Sequence, residues 1–301
     1  MSAGPVAGVA VAALPAVERR GATLLGDAWR RFCRNRLALI GLAVVTVLLA
    51  AAVFAPWLAP YDPGKQSLFE KRARPGAKYV LGADEFGRDI LSRVIYGSRV
   101  ALLVGTLSVA IALLAGLALG SLAGFVGGWV DATVMRGIEV LLAFPYLLLA
   151  IAVVSALGPG ALNTTIAVGI WGAPPVTRIV RGSVLALKET EYVSAARALG
   201  APSLMLIGRH ILPNVLPTVV VYGTLFMANA ILVEAALSFL GLGVQPPTPS
   251  WGLMVSMGRD VLLVAPHVAT IPGLAIMVAV LGFNLVGDGL RDALDPRLRG
   301  A

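Results

Sequence analysis

Long apolar stretches without a charged residue recur along this chain. No residue between Arg36 and Asp62 is charged, and none between Arg99 and Asp131. About 20 such residues are enough for a helix to cross the hydrocarbon core of a bilayer. Over the whole chain 58% of residues are hydrophobic and 13% are charged, whereas soluble domains carry about 25% charged residues. Because regular alternation of apolar and polar residues is absent, the sequence predicts an all-α membrane protein and not a β-barrel.

Six of these stretches are predicted to be transmembrane helices. They cover residues 37–59, 100–127, 134–157, 164–184, 214–240 and 271–290. The other predicted segments are an N-terminal tail (1–36), an extracytoplasmic insert (60–99), a polar connection (188–213), a loop rich in Pro and Gly (241–270) and a C-terminal tail (291–301). Residues 100–290 are expected to form a common five-helix core, with the first span and the insert at its periphery.

The distribution of Lys and Arg predicts which side of the membrane each segment faces. With the N-terminus in the cytoplasm, the cytoplasmic segments hold 15 of the 24 basic residues and the outer segments hold 9. Arg34 and Arg36 adjoin the first span directly, where a positive-inside bias counts most. Six spans then place both termini in the cytoplasm, in spite of the basic insert.

The composition also argues against several kinds of site. Cys33 is the single cysteine, and the two histidines, His210 and His267, have no metal-ligand spacing, so neither a disulfide framework nor a metal site is expected. No G-x-x-x-x-G-K-[ST] loop occurs, so this chain is not expected to bind ATP phosphates or any other cofactor. The net charge of +8 is spread over loops, which predicts membrane flanks and not nucleic-acid binding. No catalytic group is predicted.

The polar connection at 188–213 is predicted to contain two short helices joined by a sharp bend. Residues 192–199 are good helix formers, and Gly200 stands where a helix often ends in a left-handed conformation. Pro202 suits the first turn of a second helix, and Pro213 is predicted to end it. Small residues leave one face of the first helix nearly bare, which lets a partner approach its backbone: Ala195, Ala196 and Gly200.

The same connection carries a motif. Ser194-Ala195-Ala196, followed by Gly200 and then by Leu212-Pro213, resembles the EAA loop of ABC importer permeases. Ser194 stands where that loop often has an acidic residue, and His210 where it usually has Ile. The resemblance implies a cytoplasmic coupling helix that docks into a cleft of a partner ATPase. With the flanking Tyr192 and Arg197, the predicted coupling residues are Tyr192, Ser194, Ala195, Ala196, Arg197, Gly200, Leu212 and Pro213.

Three further motifs narrow the family. Residues 80–89 (VLGADEFGRD), continuing through Ser92-Arg93, resemble the LGTDxxGRDxxSR signature of the dipeptide, oligopeptide and nickel permeases. Residues 234–243 (EAALSFLGLG) and 246–252 (PPTPSWG) are similar to the fifth span and the following outer loop of the C-type subunit, and Asp295-Pro296-Arg297 is similar to the usual ending. The extracytoplasmic motif residues are Gly82, Asp84, Gly87, Arg88 and Asp89.

The resemblance implies a type I ABC importer (MetI-like) permease fold with six transmembrane helices. It implies a bacterial inner-membrane subunit that pairs with a second, homologous permease and with two ATPases, which bind ATP and Mg, and that receives solute from an extracytoplasmic binding protein. Di- and oligopeptides are the expected solutes, with nickel chelates or glutathione-like solutes as alternatives within the family. A more remote alternative is a secondary transporter that works without nucleotide, but the inverted repeats with broken helices that this class often shows are not found.

Two groups of polar residues have alternative interpretations. Glu234 lies at membrane depth, where a carboxylate costs about 2.5–3.5 kcal/mol and should face protein or water. Glu234 and Ser238 are therefore candidates for lining the solute path or a gate, although Glu234 is also placed to pair with Arg259 or to cap a loop amide. The insert also contains Asp84, Arg88 and Asp89, and an arginine–carboxylate pair among them is expected to brace a turn at Gly87; contact with the binding protein is the alternative.

Overall fold

The computed structural model describes residues 24–294, and these residues are mostly helical. The helices are α1 (Leu24–Arg34), α2 (Arg36–Val53), α3 (Ala55–Leu58), α4 (Ile90–Val126), α5 (Gly128–Leu142), α6 (Tyr146–Leu157), α7 (Ala161–Lys188), α8 (Glu191–Ala198), α9 (Ser203–Met205), α10 (Leu212–Phe239), α11 (Trp251–Arg259) and α12 (His267–Leu294). A short 3₁₀ turn, Leu68–Glu70, lies in the insert. Within residues 24–294 there is no β-strand, only one isolated bridge between Ala83 and Asp89. The prediction of an α-helical membrane protein is confirmed.

Four helical segments are long and apolar enough to cross a bilayer. They are Arg36–Val53, Ile90–Val126, Ser203–Phe239 and His267–Leu294, and the pair α5 and α6 makes a fifth if the two helices form one bent span. The predicted fourth span, 164–184, lies within α7. This helix has 28 residues, but Pro174, Pro175 and two arginines lower its apolar character. The described residues therefore give four to five candidate spans by length and composition, against the six predicted.

Prolines explain why two of the predicted spans are not single continuous helices. The predicted first span 37–59 divides into α2 and the short α3, because Pro56 lies in the first turn of α3 and lacks the N–H that would continue α2. The predicted third span 134–157 is broken between α5 and α6, whose axes differ by 94°. Pro145 precedes α6 directly and disfavours the helical conformation at Phe144.

The two predicted loops also differ from the structure. The stretch 241–270 is not only a loop, because α11 lies within it and α12 begins at its end. In the connection 188–213, Pro213 does not end the second helix. A π-helical turn, Leu206–Ile211, joins α9 to α10, and the wider turn accommodates Pro213 near the start of α10.

Both outer boundaries of the predicted core also shift. The helix α4 begins inside the predicted insert 60–99, because Asp89 caps its N-terminus and accepts the Ser92 N–H at 2.7 Å. The helix α12 continues to Leu294, into the predicted tail 291–301. The motif at 295–297 and residues 1–23 of the predicted tail lie outside the described residues.

Close packing of α4 against α7 forms the centre of the fold. Glycines recur at every fourth position of α4 and face valines of α7. A Cβ at Gly116 would lie 2.4 Å from Val176, and one at Gly120 would lie 2.7 Å from Val180. Both helices run in the same direction, because Gly124 at the end of α4 meets Val184 near the end of α7. Small residues at this spacing let two membrane helices pack closely.

Candidate functional site

Helix α8 ends as the sequence predicts. Gly200 has φ +84°, and the Gly200 N–H donates to the Arg197 carbonyl at 3.0 Å. The Ala201 N–H donates to the Ala196 carbonyl at 3.1 Å. This pair of bonds is the Schellman arrangement, in which a left-handed residue closes the end of a helix. It fixes the bend between α8 and α9.

The inner side of α8 is attached by a single buried residue. Val193 packs into a cluster with Leu206, Ile211 and Val215, which also includes valines of α7. The bare face is therefore backed by the core that joins α7 to α10. Most of the predicted coupling residues of α8 and its C-terminal bend are exposed, and Ala196 is half-buried: Tyr192, Ser194, Ala195, Ala196, Arg197 and Gly200.

The remaining predicted coupling residues lie elsewhere in the loop. Leu212 and Pro213 are the first residues of α10, after the π-helical turn, and Leu212 is half-buried. Tyr192 lies near them, since its hydroxyl accepts a hydrogen bond from the Asn214 amide at 3.4 Å and its ring is 6.4 Å from that of His210. The structure thus places all eight residues in one connection but only six on or directly after α8.

Two exposed leucines beside the bend are missed by the sequence prediction. Leu199 is 90% exposed and Leu204 is 83% exposed, and Met205 beside them is also exposed. An apolar residue at the C-cap of a short helix, next to a glycine that ends it, has no core to join. The position of Leu199 at the end of α8 is therefore the sequence signal from which its exposure could have been predicted. These side chains add exposed apolar area to the connection that carries the bare face.

The insert, residues 60–99, contains a buried network of charges around Asp84. Its Oδ1 accepts the backbone N–H groups of Phe86 and Arg88 at 2.9 and 3.0 Å, and its Oδ2 accepts Arg88 Nε at 2.6 Å. The guanidinium of Arg93 lies 3.6 Å from the same oxygen and donates to the Pro63 carbonyl at 3.0 Å. The expected arginine–carboxylate pair is present at the turn that contains Gly87, and the structure identifies its carboxylate as Asp84 and not Asp89. Asp84, Arg88 and Arg93 are each at most 5% exposed.

The other motif residues of the insert support this turn. Asp89 Oδ2 accepts the hydroxyl of Ser92 at 2.6 Å, and the Ser92 hydroxyl in turn accepts the Tyr61 N–H at 3.0 Å. Gly82 has φ +84° and lies against the ring of His267, which makes a hydrogen bond of 3.1 Å with the Ala73 carbonyl. The insert is therefore fastened to the beginning of both α4 and α12. Whether the motif also contacts a binding protein stays a prediction.

A second carboxylate of the insert, Glu70, is held at the surface. It accepts hydrogen bonds from the Lys78 ammonium and, at 2.6 Å, from the Tyr79 hydroxyl. The bond from Lys78, followed by that from Tyr79, lowers the pKa of Glu70 below its ordinary value of 4.5. The same carboxylate raises the pKa of Tyr79 to about 12.

Glu234 lies in a buried hydrogen-bond network near the end of α10. Its Oε1 accepts the hydroxyls of Ser238 at 2.7 Å and Ser250 at 3.0 Å, and the Ser238 oxygen accepts the Val244 N–H at 3.1 Å. The suggested pairing with Arg259 is wrong, because Arg259 is at the surface beside Asp260. Ser238, and not Glu234, caps the loop amide. Both side chains are almost fully buried in this chain, so a role in the solute path stays a prediction.

Helix α11 is held on this network. Ser250 directly precedes α11, and Gly252 lies so close to α10 that a Cβ would be 2.1 Å from the Ala235 carbonyl oxygen. Trp251 is buried, and its indole N–H donates to the Val94 carbonyl of α4 at 2.9 Å. Among the described residues no group of three His, Cys, Asp or Glu side chains is placed to hold a metal ion.

Comparisons with known proteins point to one family. The family described as the binding-protein-dependent transport system inner membrane component matches residues 116–300, and the N-terminal TM domain of oligopeptide transport permease C matches residues 23–75. A di/tripeptide transport system permease protein, DppC, of Pseudomonas aeruginosa is 46% identical over 283 residues, which cover 92% of this chain and 93% of that protein. A glutathione transport system permease protein, GsiD, of Pectobacterium atrosepticum is 43% identical over 291 residues, 96% of this chain and 97% of that protein. A dipeptide permease, DppC, of Alkalihalophilus pseudofirmus is 44% identical over 273 residues, 91% of this chain and 90% of that protein.

Proposed function

This chain belongs to the family of binding-protein-dependent inner-membrane transport permeases, as a C-type subunit of the dipeptide and oligopeptide branch, and we propose that it forms one half of the translocation pathway of an ATP-driven importer of di- and oligopeptides. Membership of this family makes it a permease subunit, so the alternative of a nucleotide-independent secondary transporter is set aside. Glutathione is the second candidate solute. It is itself a small peptide, and a glutathione permease is 43% identical to this chain.

We propose a six-span arrangement in the bacterial inner membrane. The spans are α2, α4, the bent pair of α5 and α6, α7, α10 and α12. The mixed character of α7 supports a position inside the assembly, because a helix with two prolines and two arginines is costly to expose to lipid. The positive-inside bias supports cytoplasmic termini and a cytoplasmic α8, with the insert outside.

The observation that carries the coupling proposal is the surface of α8. It has exposed small residues on one side, and on the other its buried Val193 joins the core between α7 and α10. A partner ATPase that moves α8 would therefore move both of these helices as a rigid body. ATP and Mg would bind to two such ATPases, a second homologous permease would complete the pathway, and an extracytoplasmic binding protein would deliver the solute.

Gentle purification of the tagged chain, with mass spectrometry of the proteins that accompany it, tests the assembly. Two ATPases and a second permease in the eluate are expected, and the binding protein of the same system then gives access to the solute. Competition between dipeptides and glutathione for that binding protein separates the two candidates. A chain that stays alone and moves solute into vesicles without ATP would overturn the proposal.

Substitution of Gly200 by Glu tests the coupling surface. We expect Gly200→Glu to leave the membrane complex assembled but to abolish solute-stimulated ATP hydrolysis, because a long charged side chain would stand where the ATPase approaches. Gly200→Ala is the matched control, since it shares the left-handed backbone strain of about 1 kcal/mol but adds only a methyl group to open space. Normal solute-stimulated ATP hydrolysis in Gly200→Glu would contradict the assignment of α8 as the ATPase-docking surface.

A further inference from the structure

Helix α5 is held to the rest of the chain by unusually few contacts. Among residues 128–142, all of which the structure describes, only Ile138 is buried. Trp129 near the start of the helix is 79% exposed. Helix α4 immediately before it is buried along much of its length by α7 and α10. Packing alone therefore does little to determine the position of α5.

Both ends of α5 have the features of a hinge. At the beginning, Gly127 and Gly128 have φ of +72° and +58°, and a Cβ built on either would meet nothing within 4 Å. At the end, the chain leaves the helix before Pro145 and turns by 94° into α6. A helix with open glycines at one end and a proline break at the other can change direction without disturbing its neighbours.

One ion pair connects α5 to α7. Arg181 Nε donates to Asp131 Oδ1 and its Nη2 donates to Oδ2, both at 2.5 Å. The two side chains are 30% and 19% exposed, so the pair is partly shielded from water and salt. This two-point geometry fixes orientation as well as distance. It is the strongest directional contact that α5 makes with another helix among the described residues.

The arginine belongs to the part of α7 that leads to α8. Arg181 lies about two helical turns, or about 10 Å, before the end of α7, and α8 begins at Glu191. That end of α7 is fixed to α4, because Lys188 Nζ donates to the Gly124 carbonyl at 3.1 Å and Val184 fills the space beside Gly124. Any displacement of α8 thus reaches α7 first. Helix α6 packs against α7 through apolar side chains, whereas α5 is joined to α7 by the hydrogen-bonded pair of Asp131 and Arg181.

We propose that Asp131 and Arg181 are positioning residues that link the arm formed by α5 and α6 to the coupling loop. The pair stays closed and makes α5 follow α7 when α8 is moved. The inference rests on the proposed function, because it assigns a transmission step to the permease cycle. Neither residue touches the solute or the nucleotide in this role.

The test measures solute molecules imported per ATP hydrolysed by the complete importer, with its binding protein, in vesicles. We expect Asp131→Asn to lower this ratio about tenfold, within the 5–150-fold range typical of coupling between sites, while ATP hydrolysis without solute persists. Glu139→Gln is the matched control. Glu139 lies on the same helix and pairs with Arg136, but that pair is exposed and lies within α5, so its loss should leave the ratio within about twofold.

Restoration of the pair distinguishes a link from simple damage to the fold. The double variant Asp131→Arg with Arg181→Asp exchanges the charges, and it should recover at least half of the lost ratio. Asp131→Glu, which keeps the charge on a longer stem, should give an intermediate ratio even if Asp131→Asn assembles poorly.

A normal ratio in assembled Asp131→Asn, or a double variant no better than the single ones, would overturn the inference. If Gly200→Glu uncouples transport and Asp131→Asn does not, the link fails while the proposed function stands. If the Gly200→Glu importer remains coupled, the proposed coupling through α8, on which this inference rests, is wrong.

Discussion

The insert at residues 60–99 and the α8 loop lie at opposite ends of α4 and α7, and they are built in contrasting ways. In the insert, the charged side chains Asp84, Arg88 and Arg93 are buried and share several hydrogen bonds. In the α8 loop, the charged Arg197 is exposed and a single valine, Val193, holds the helix to the core. One end is fixed by many polar bonds, whereas the other has few.

This difference agrees with what each end has to do in the proposed cycle. Buried polar groups that bond to one another favour one arrangement, and removal of one member leaves the others unsatisfied. Not every group of the insert network is bonded, because Arg93 Nε and Nη2 have no hydrogen-bond partner among the described residues. A short exposed helix costs little to displace, since segments with few buried contacts open at low free energy. In the proposed cycle the insert would act as a fixed frame for the starts of α4 and α12, and α8 would be the element that a partner moves.

The strongest test of this contrast removes the centre of the outer network. Asp84→Ala leaves two buried arginines without their carboxylate, so we expect the free energy of unfolding to fall by about 3–5 kcal/mol. Arg197→Ala is the matched change at the inner end, and it should alter stability by less than about 0.5 kcal/mol, as for other exposed sites. Thermal unfolding of the purified protein in detergent measures both. Equal effects at the two ends would contradict the comparison.

Local patterns in the sequence were sufficient for much of the fold. The left-handed Gly200 and the Asp84–Arg88 pair depend on residues within four positions of each other, and the spans depend on long apolar runs. Arg93 is part of the sequence motif, but its burial was not predicted, because a charged residue beside an apolar helix is usually exposed. Its burial depends on Pro63 and Asp84, which approach only in the folded insert. Pro145 marks the break in the sequence, but apolar residues on both sides of it (140–157) make the stretch look continuous.

The hydrogen-bond partners of Glu234 could not be predicted from the sequence, for a different reason. Ser250 is 16 positions away, and it meets the carboxylate only because α11 folds back against α10. The sequence suggested Arg259, since a positively charged side chain is the simplest partner for a carboxylate. The structure satisfies the group with hydroxyls instead. Helix α11 itself was hidden by the surrounding prolines and glycines.

A second test asks whether the Glu234 network belongs to the fixed outer frame. Glu234→Ala leaves the hydroxyls of Ser238 and Ser250 without their acceptor, and we expect a loss of about 2–3 kcal/mol of stability, because unsatisfied buried polar groups cost about 1–3 kcal/mol each. Glu234→Gln keeps an acceptor oxygen in the same place and should cost about 1 kcal/mol. A comparison of the unfolding midpoints of the two variants measures this difference in stability. An alanine variant as stable as the glutamine variant would mean that these hydroxyls find other partners and that α11 does not depend on Glu234.

The smallest expected effect compares one tyrosine hydroxyl at each end. Tyr79→Phe removes a donor to Glu70 and should lower stability by less than about 1 kcal/mol, whereas Tyr192→Phe removes only a long bond at the surface and should have no measurable effect. The folded state lowers the pKa of Glu70, so its contribution is present above the ordinary value of 4.5 and is lost as the pH falls through the lower folded value. The pKa of Tyr79 is raised to about 12, so its contribution is complete below the ordinary value of 10 and is lost as the pH rises through 12. The stability difference between the wild type and Tyr79→Phe should therefore be constant between these limits and shrink beyond each of them. A difference that is instead the same at pH values below 4.5 would show that the hydroxyl does not stabilise the ionised carboxylate, and the frame would then lose one of its surface bonds.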